Sequence, residues 1–175
     1  ILFAAIGLLS GGVRVQAQST QVIYGDQLEN GWQNLSSAAV NFSNTNPVHS
    51  GTFSAAVSTS QSNPAGYQAI WFHPSADMST SGYLSVTFWL YVPSPNITPL
   101  QVQGISGNET ENGTVTIPAP APNTWTKETM TLSELGCADI SDFAGFWIET
   151  TSGGAEPTYY VDDVTLDGSA SPVPV

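Results

Sequence analysis

The run Tyr159-Tyr160-Val161-Asp162-Asp163-Val164-Thr165-Leu166 is strand-forming except for two adjacent acids at its centre. Acids disfavour strand interiors, and burying one unpaired is costly. Something must compensate them. An answering segment lies near the other end of the chain, Val22-Ile23-Tyr24-Gly25-Asp26, followed by Gly31-Trp32. A cation shared between Asp26 and Asp162 or Asp163 would satisfy both segments and bring the two chain ends together. Alternation groups Asp162 with Tyr160, Val164 and Leu166, and Asp163 with Val161 and Thr165. Parity does not decide which acid turns toward such an ion. The competing reading leaves both acids solvated at a sheet edge, where charge discourages edge-to-edge pairing.

The rest of the chain favours strands. Short β-branched and aromatic runs alternate with Gly, Pro, Asn and Ser clusters, and long 3.6-residue periodicity is missing. That pattern predicts an all-β, antiparallel β-sandwich of two packed sheets. The expected strands are 20–24, 38–43, 52–59, 66–73, 82–92, 99–105, 113–117, 125–131, 143–150 and 157–166, with one helical turn near Ser133-Glu134-Leu135. At 175 residues the chain suits one domain with a full core. Its expected bounds are 20–168, followed by a flexible tail over 169–175.

A third segment lies between the two ends, Pro47-Val48-His49-Ser50-Gly51-Thr52-Phe53-Ser54-Ala55-Ala56-Val57. The three in this order are an acid before Gly-Trp, a His-Ser-Gly-x-x-Ser strand and a closing Tyr-Val-Asp-Asp-Val strand. Together they resemble the jelly-roll carbohydrate-binding modules that accompany glycoside hydrolases, within the galactose-binding-like β-sandwich superfamily. The resemblance covers roughly Val22 to Leu166. It implies non-catalytic glycan binding and a structural calcium where the first and last strands meet. The ligands at matching positions are Asp26, Asp162 and Asp163, and hard oxygen donors suit calcium, which takes six to eight of them.

The strand at 82–92 shows which face such a module would use. Leu84, Val86, Phe88, Leu90 and Val92 share one face, and Tyr83, Ser85, Thr87, Trp89 and Tyr91 share the other. The aliphatic face belongs in the core. In 99–105, Gln101 and Gln103 alternate with Leu100 and Val102; in 143–150, Trp147 and Glu149 alternate with Phe146 and Ile148. If these strands are neighbours, one sheet presents Trp89, Tyr91, Gln101, Gln103, Trp147 and Glu149 together. Aromatic planes match the C–H faces of a pyranose, and amides and a carboxylate match its hydroxyls. Trp71 joins them if Ile70 and Phe72 fill the core. Trp32 and Trp125 are expected to be structural.

Charge narrows the partner. The chain holds two strong bases, Arg14 and Lys127, against 14 acids. Such a surface cannot neutralise a phosphate backbone, so nucleic acid is excluded. Anionic membranes and polyanionic sugars are disfavoured in the same way. A neutral polysaccharide or glycan is the expected partner, bound by a monomer. The opening stretch, 1–12, is apolar and runs into Val15-Gln16-Ala17. It reads as a signal-peptide remnant over 1–17, cleaved after Ala17, of a secreted, extracellular protein. It is too short for the roughly 20 residues a membrane span needs. Five Asn-x-Ser/Thr sequons, at Asn34, Asn41, Asn96, Asn108 and Asn112, are candidate glycan sites on a secreted chain. Cys137 is the only cysteine, so it is expected as a small buried hydrophobe.

The alternative function is a small polysaccharide-degrading enzyme, a glycosidase or lyase, on the same fold. A glycosidase needs two carboxylates flanking one bond. Glu149 is the one strand acid facing the proposed groove, with Asp139 or Asp142 as a loop-borne partner. A lyase would need a base such as Tyr67 or His73, with Gln68 beside it, and a neutraliser for the uronate. His49 reads as a hydrogen-bonded turn residue, and His73 as solvated in a loop before Pro74.

Overall fold

The computed structural model describes residues 18–118 and 120–169. The expected signal remnant and all but the first residue of the expected tail lie outside these. Eleven strands and no helix are found among the described residues. They form two antiparallel sheets, as the sequence predicts. One sheet runs β3 (Ala39–Asn44), β4 (Ser54–Ser58), β11 (Tyr159–Gly168), β6 (Tyr83–Tyr91), β9 (Trp125–Thr131), with β1 (Gln21–Tyr24) also paired to β11. The other runs β2 (Trp32–Asn34), β5 (Ala69–Pro74), β10 (Phe143–Thr150), β7 (Leu100–Ser106), β8 (Thr110–Ile117).

The core lies between them. From β6 come Val86, Phe88 and Leu90; from β5, Ile70 and Phe72; from β10, Phe146 and Ile148, all fully buried. Burying each such side chain stabilises the fold by about 1.5–3 kcal/mol. Trp32 packs edge-on against Phe143 and Phe146, with ring centroids 6.4 Å away in each case. Its indole N–H donates to Gln21 Oε1 at 3.2 Å, which ties β2 to β1. Leu84 departs from the expected core face and is 57% exposed while Tyr83, expected on the other face, joins the core, where the β6–β11 register shifts between Asp167 and Gly168. The segment around Ser133 is a hydrogen-bonded turn rather than a helix.

The acidic strand is the centre of the six-stranded sheet. One edge of β11 pairs with β6 along its length. Its other edge is shared: Tyr159–Val161 pair with β4, and Val164–Leu166 pair with β1. Asp162 and Asp163 occupy the gap where the partner changes. A bulge interrupts the register there, and Asp163 takes a left-handed conformation with φ 47°, which Asp tolerates as a single residue. The bulge switches parity. Tyr159 and Val161 face the core before it, and Val164 and Leu166 after it. Simple alternation therefore does not describe this strand.

Candidate functional site

The sequence places Trp89, Tyr91, Trp147, Gln101, Gln103 and Glu149 on one sheet; the structure divides them. β6 pairs with β11 and β9, not with β7 or β10. Trp89 and Tyr91 therefore stand on the outer face of the six-stranded sheet. Gln101, Gln103, Trp147, Glu149 and Trp71 stand together on the outer face of the five-stranded one.

That second face is built in two rows across the strands. Trp71 is opposite Trp147, which is opposite Gln103, which is opposite Thr114. The next row is Ala69, Glu149, Gln101, Thr116. A large row beside a row that starts with Ala69 leaves space above the alanine. The space is a cavity of about 390 Å³ lined by Tyr67, Ala69, Trp71, Trp147, Glu111 and Glu149, with Leu35, Ser37, Asn63 and Gly66 from the adjoining loops.

The walls are fixed by local bonds. A bulge at Gly145, with φ 99°, shifts the register of β10. A Cβ there would collide with the Phe72 carbonyl, so only glycine fits. The shift sets Ala144 beneath Trp71, whose indole N–H donates to the Ala144 carbonyl at 3.0 Å. Ile105 and Ala144 complete an apolar floor under Trp71. Trp147 meets Trp71 nearly at right angles, centroids 5.6 Å apart. Trp71 is 8% exposed, Trp147 is half-buried and Tyr67 is 53% exposed. The accessible rings are therefore Trp147 and Tyr67, with Trp71 as the wall behind them. His73 lies at the end of β5, edge-on to Trp71, rather than in a solvated loop.

The polar groups are paired across strands. Gln101 Nε2 donates to Glu149 Oε1 at 2.7 Å, and Gln103 Nε2 donates to Glu111 Oε2 at 3.1 Å. Burial pushes the Glu149 carboxyl above the usual carboxylate range; the Gln101 bond opposes this and the nearby Glu111 charge adds to it. Glu111 and Leu35 were not singled out from the sequence. Glu111 precedes the expected strand 113–117, and a register shift between Gln103 and Ile105 brings it to the groove.

The opposite outer face is aromatic too, but the chain covers it. His49 stacks on Trp89 with centroids 3.7 Å apart, and meets Trp125 edge-on at 5.7 Å. Tyr91 packs against Trp125 and Tyr160. His49 is held by the acidic pair. Its Nδ1 lies 2.6 Å from Asp163 Oδ2, its backbone N–H donates to Asp162 Oδ2 at 2.8 Å, and Ser50 Oγ donates to Asp163 Oδ1 at 2.7 Å.

Asp26 and Asp162 meet the same loop. Asp26 Oδ1 accepts from the N–H groups of Thr52 at 2.5 Å and Phe53 at 2.8 Å, which lower its pKa. Gly51 leaves room for this carboxylate, since a Cβ there would lie 2.5 Å from Asp26 Oδ1. Asp162 is fully buried, and burial raises its pKa despite N–H bonds from His49, Asp163 and Ser50. Asp26, Asp162 and Asp163 all push up the pKa of the buried Tyr24 hydroxyl, after burial itself. Among the described residues no group of three or more His, Cys, Asp or Glu is placed to hold a metal ion. Three carboxylates around one loop, already accepting hydrogen bonds from it, meet calcium's need for six to eight oxygens only in part.

Four sequon asparagines, Asn34, Asn41, Asn96 and Asn108, are exposed. Asn112 is half-buried, its Nδ2 donating to the Thr110 carbonyl and lying 3.6 Å from Cys137 Sγ. Cys137 is fully buried, and burial pushes its thiol up to about 11. No helix among the described residues is long and apolar enough to cross a membrane.

Comparison with known proteins adds the fold. No protein-family model matches this sequence, and no curated protein sequence does. Solved structures do match. A family 29 carbohydrate-binding module from Piromyces equi aligns with TM-score 0.61 and 13% identity, over 91% of this chain and 97% of its own. The family 11 module of the cellulosomal cellulase Lic26A-Cel5E of Clostridium thermocellum aligns with TM-score 0.56 and 14% identity, over 88% and 97%. An exo-β-agarase aligns with TM-score 0.58 and 13% identity, over 86% of this chain and 24% of its own. The chain has the jelly-roll fold of carbohydrate-binding modules.

Proposed function

We propose that this protein binds a polysaccharide or glycan without cleaving it, in the groove above Ala69. The observation that carries the reading is the groove's composition. Tyr67, Trp71 and Trp147 wall a cavity that Glu149 also lines, its carboxylate held by Gln101 from the neighbouring strand. Apolar planes with a few fixed polar groups suit a sugar ring. Similar structures support the class: one is a family 29 module complexed with cellulohexaose, and another is complexed with mannohexaose. Stacking and a few hydrogen bonds give an affinity in the micromolar to millimolar range, about −8 to −4 kcal/mol.

Catalysis fits the site less well. Glu149 and Glu111 rise from one sheet face on strands separated by β7, opposite Gln101 and Ile105 respectively, which sets their backbones roughly 15 Å apart. Neither stands on an opposing wall, where a glycosidase places its second carboxylate. In the same reading the protein works outside the cell, as a monomer, with glycans on its exposed sequons. A calcium at Asp26, Asp162 and Asp163 is a separate proposal, supported by the meeting of all three carboxylates at the loop of residues 49–53.

The test is tryptophan fluorescence and calorimetry against soluble β-glucans and mannans. Binding lost in Trp147→Ala and kept in Trp89→Ala is the expected result. No binding to any glycan would overturn the reading, and shortening of the polymer during titration would transfer the site to the enzyme class.

A further inference from the structure

We propose that the glycan preferred by this groove carries free amino groups, as in a partly or fully deacetylated amino-sugar polymer. This rests on the carbohydrate-binding reading and deepens it. The argument starts from which polar groups remain free. One N–H of each of the Gln101 and Gln103 amides is committed, to Glu149 and Glu111 respectively. The two glutamates of the lining, Glu111 and Glu149, offer a ligand only acceptors, their remaining carboxylate oxygens. Donors in the lining come from loop residues, Ser37, Asn63 and Tyr67.

Charge points the same way. The cavity lining includes two carboxylates and no Lys, Arg or His. The one lysine, Lys127, lies on β9 of the other sheet, opposite Trp89. Glu149 is the decisive residue. It is only 6% exposed, it faces the cavity, and among the described residues its Oε2 receives no protein hydrogen bond. A buried carboxylate with one donor and no counter-charge is costly. A protonated amine entering the groove would supply both the missing donor and the charge. The ring faces of Trp147 and Tyr67 add a second attraction, because aromatic faces draw cations. A wholly neutral sugar gains the stacking and can donate a hydroxyl to Glu149, but brings no counter-charge.

The experiment compares three oligomers of equal length and the same β-1,4 linkage on the full chain: glucosamine, N-acetylglucosamine and glucose. Calorimetry is run below the pKa of the amine, at low and high salt. Expected is at least tenfold tighter binding of the glucosamine oligomer at low salt, with an advantage that shrinks as salt screens it. Glu149→Gln should remove that advantage, so that the glucosamine and glucose oligomers bind the variant alike. Glu111→Gln, at an exposed position, should reduce it a few-fold without threatening the fold. If the glucose oligomer binds as tightly as the amine, the proposal is wrong and the carbohydrate reading stands. If no oligomer binds, both fall. If Trp147→Ala keeps the amine's advantage, the attraction belongs to the acidic surface and the proposal is again wrong.

Discussion

On the six-stranded sheet, Trp89, Tyr91 and Trp125 stand side by side, and the loop before β4 lays His49 flat on Trp89. On the five-stranded sheet, Trp71 and Trp147 stand side by side, and the loops carrying Leu35, Asn63 and Tyr67 leave a cavity of about 390 Å³ beside them. The residue types are alike. The difference lies in what the chain itself does with them. One aromatic face is occupied by its own imidazole, pinned by Asp162 and Asp163. It joins the two ends of the domain and contributes stability. The other is left open, with hydrogen-bond acceptors unfilled. An aromatic sheet face is a binding site where the fold withholds a partner from it, and a structural joint where it supplies one.

The contrast can be broken most severely at the joint. Asp162→Ala leaves the N–H groups of His49, Ser50 and Asp163 without their acceptor. A loss of about 3 kcal/mol in urea unfolding is expected, with glycan affinity unchanged in the folded fraction. Trp147→Ala should act in the reverse sense, weakening glycan binding by about 2 kcal/mol, some thirtyfold, with little change in unfolding midpoint. Trp89→Ala should lower stability by about 2 kcal/mol and leave affinity alone. Equal effects of the two tryptophans on binding would erase the distinction between the faces.

A smaller effect sharpens the comparison through pH. Burial raises the Glu149 carboxyl in the folded chain. A carboxyl with a raised folded pKa binds its proton more readily in the native state, so stability rises as pH falls through that pKa and is fully gained below the unfolded value. Asp26, whose pKa is lowered, acts oppositely and loses its contribution as the solution becomes acid. The difference between wild type and Glu149→Gln isolates the first term: the variant should lack the rise. Calcium gives the last test. An ion at Asp26, Asp162 and Asp163 would raise the melting temperature on addition, and chelator would lower it again. That response should vanish in Asp26→Ala.

Much of the sandwich was legible because its core strands obey alternation. Val86, Phe88 and Leu90 face inward as the pattern of 82–92 predicts, and the expected strands overlap all observed ones except β2. β2 is three residues long, too short to show a period. Sheet membership was not legible. β6 lies next to β7 in sequence, yet pairs with β9 and β11 across long separations, and composition carries no trace of that choice. The two acids of β11 were visible as an anomaly, but the bulge between them defeats any reading based on parity. Glu111 was missed for a related reason, since a register shift carries it to the groove.

The sharing of β11 between β4, β1 and β6 has a consequence for the order of events in synthesis. The central strand of the larger sheet is the last of the eleven to leave the ribosome. Until it arrives, β1 has no strand partner in its sheet, and β4 and β6 are bordered only by β3 and β9. Completion of this sheet must wait for β11, and its rate is set by closure of loops more than a hundred residues long, such as Gln21 to Leu166.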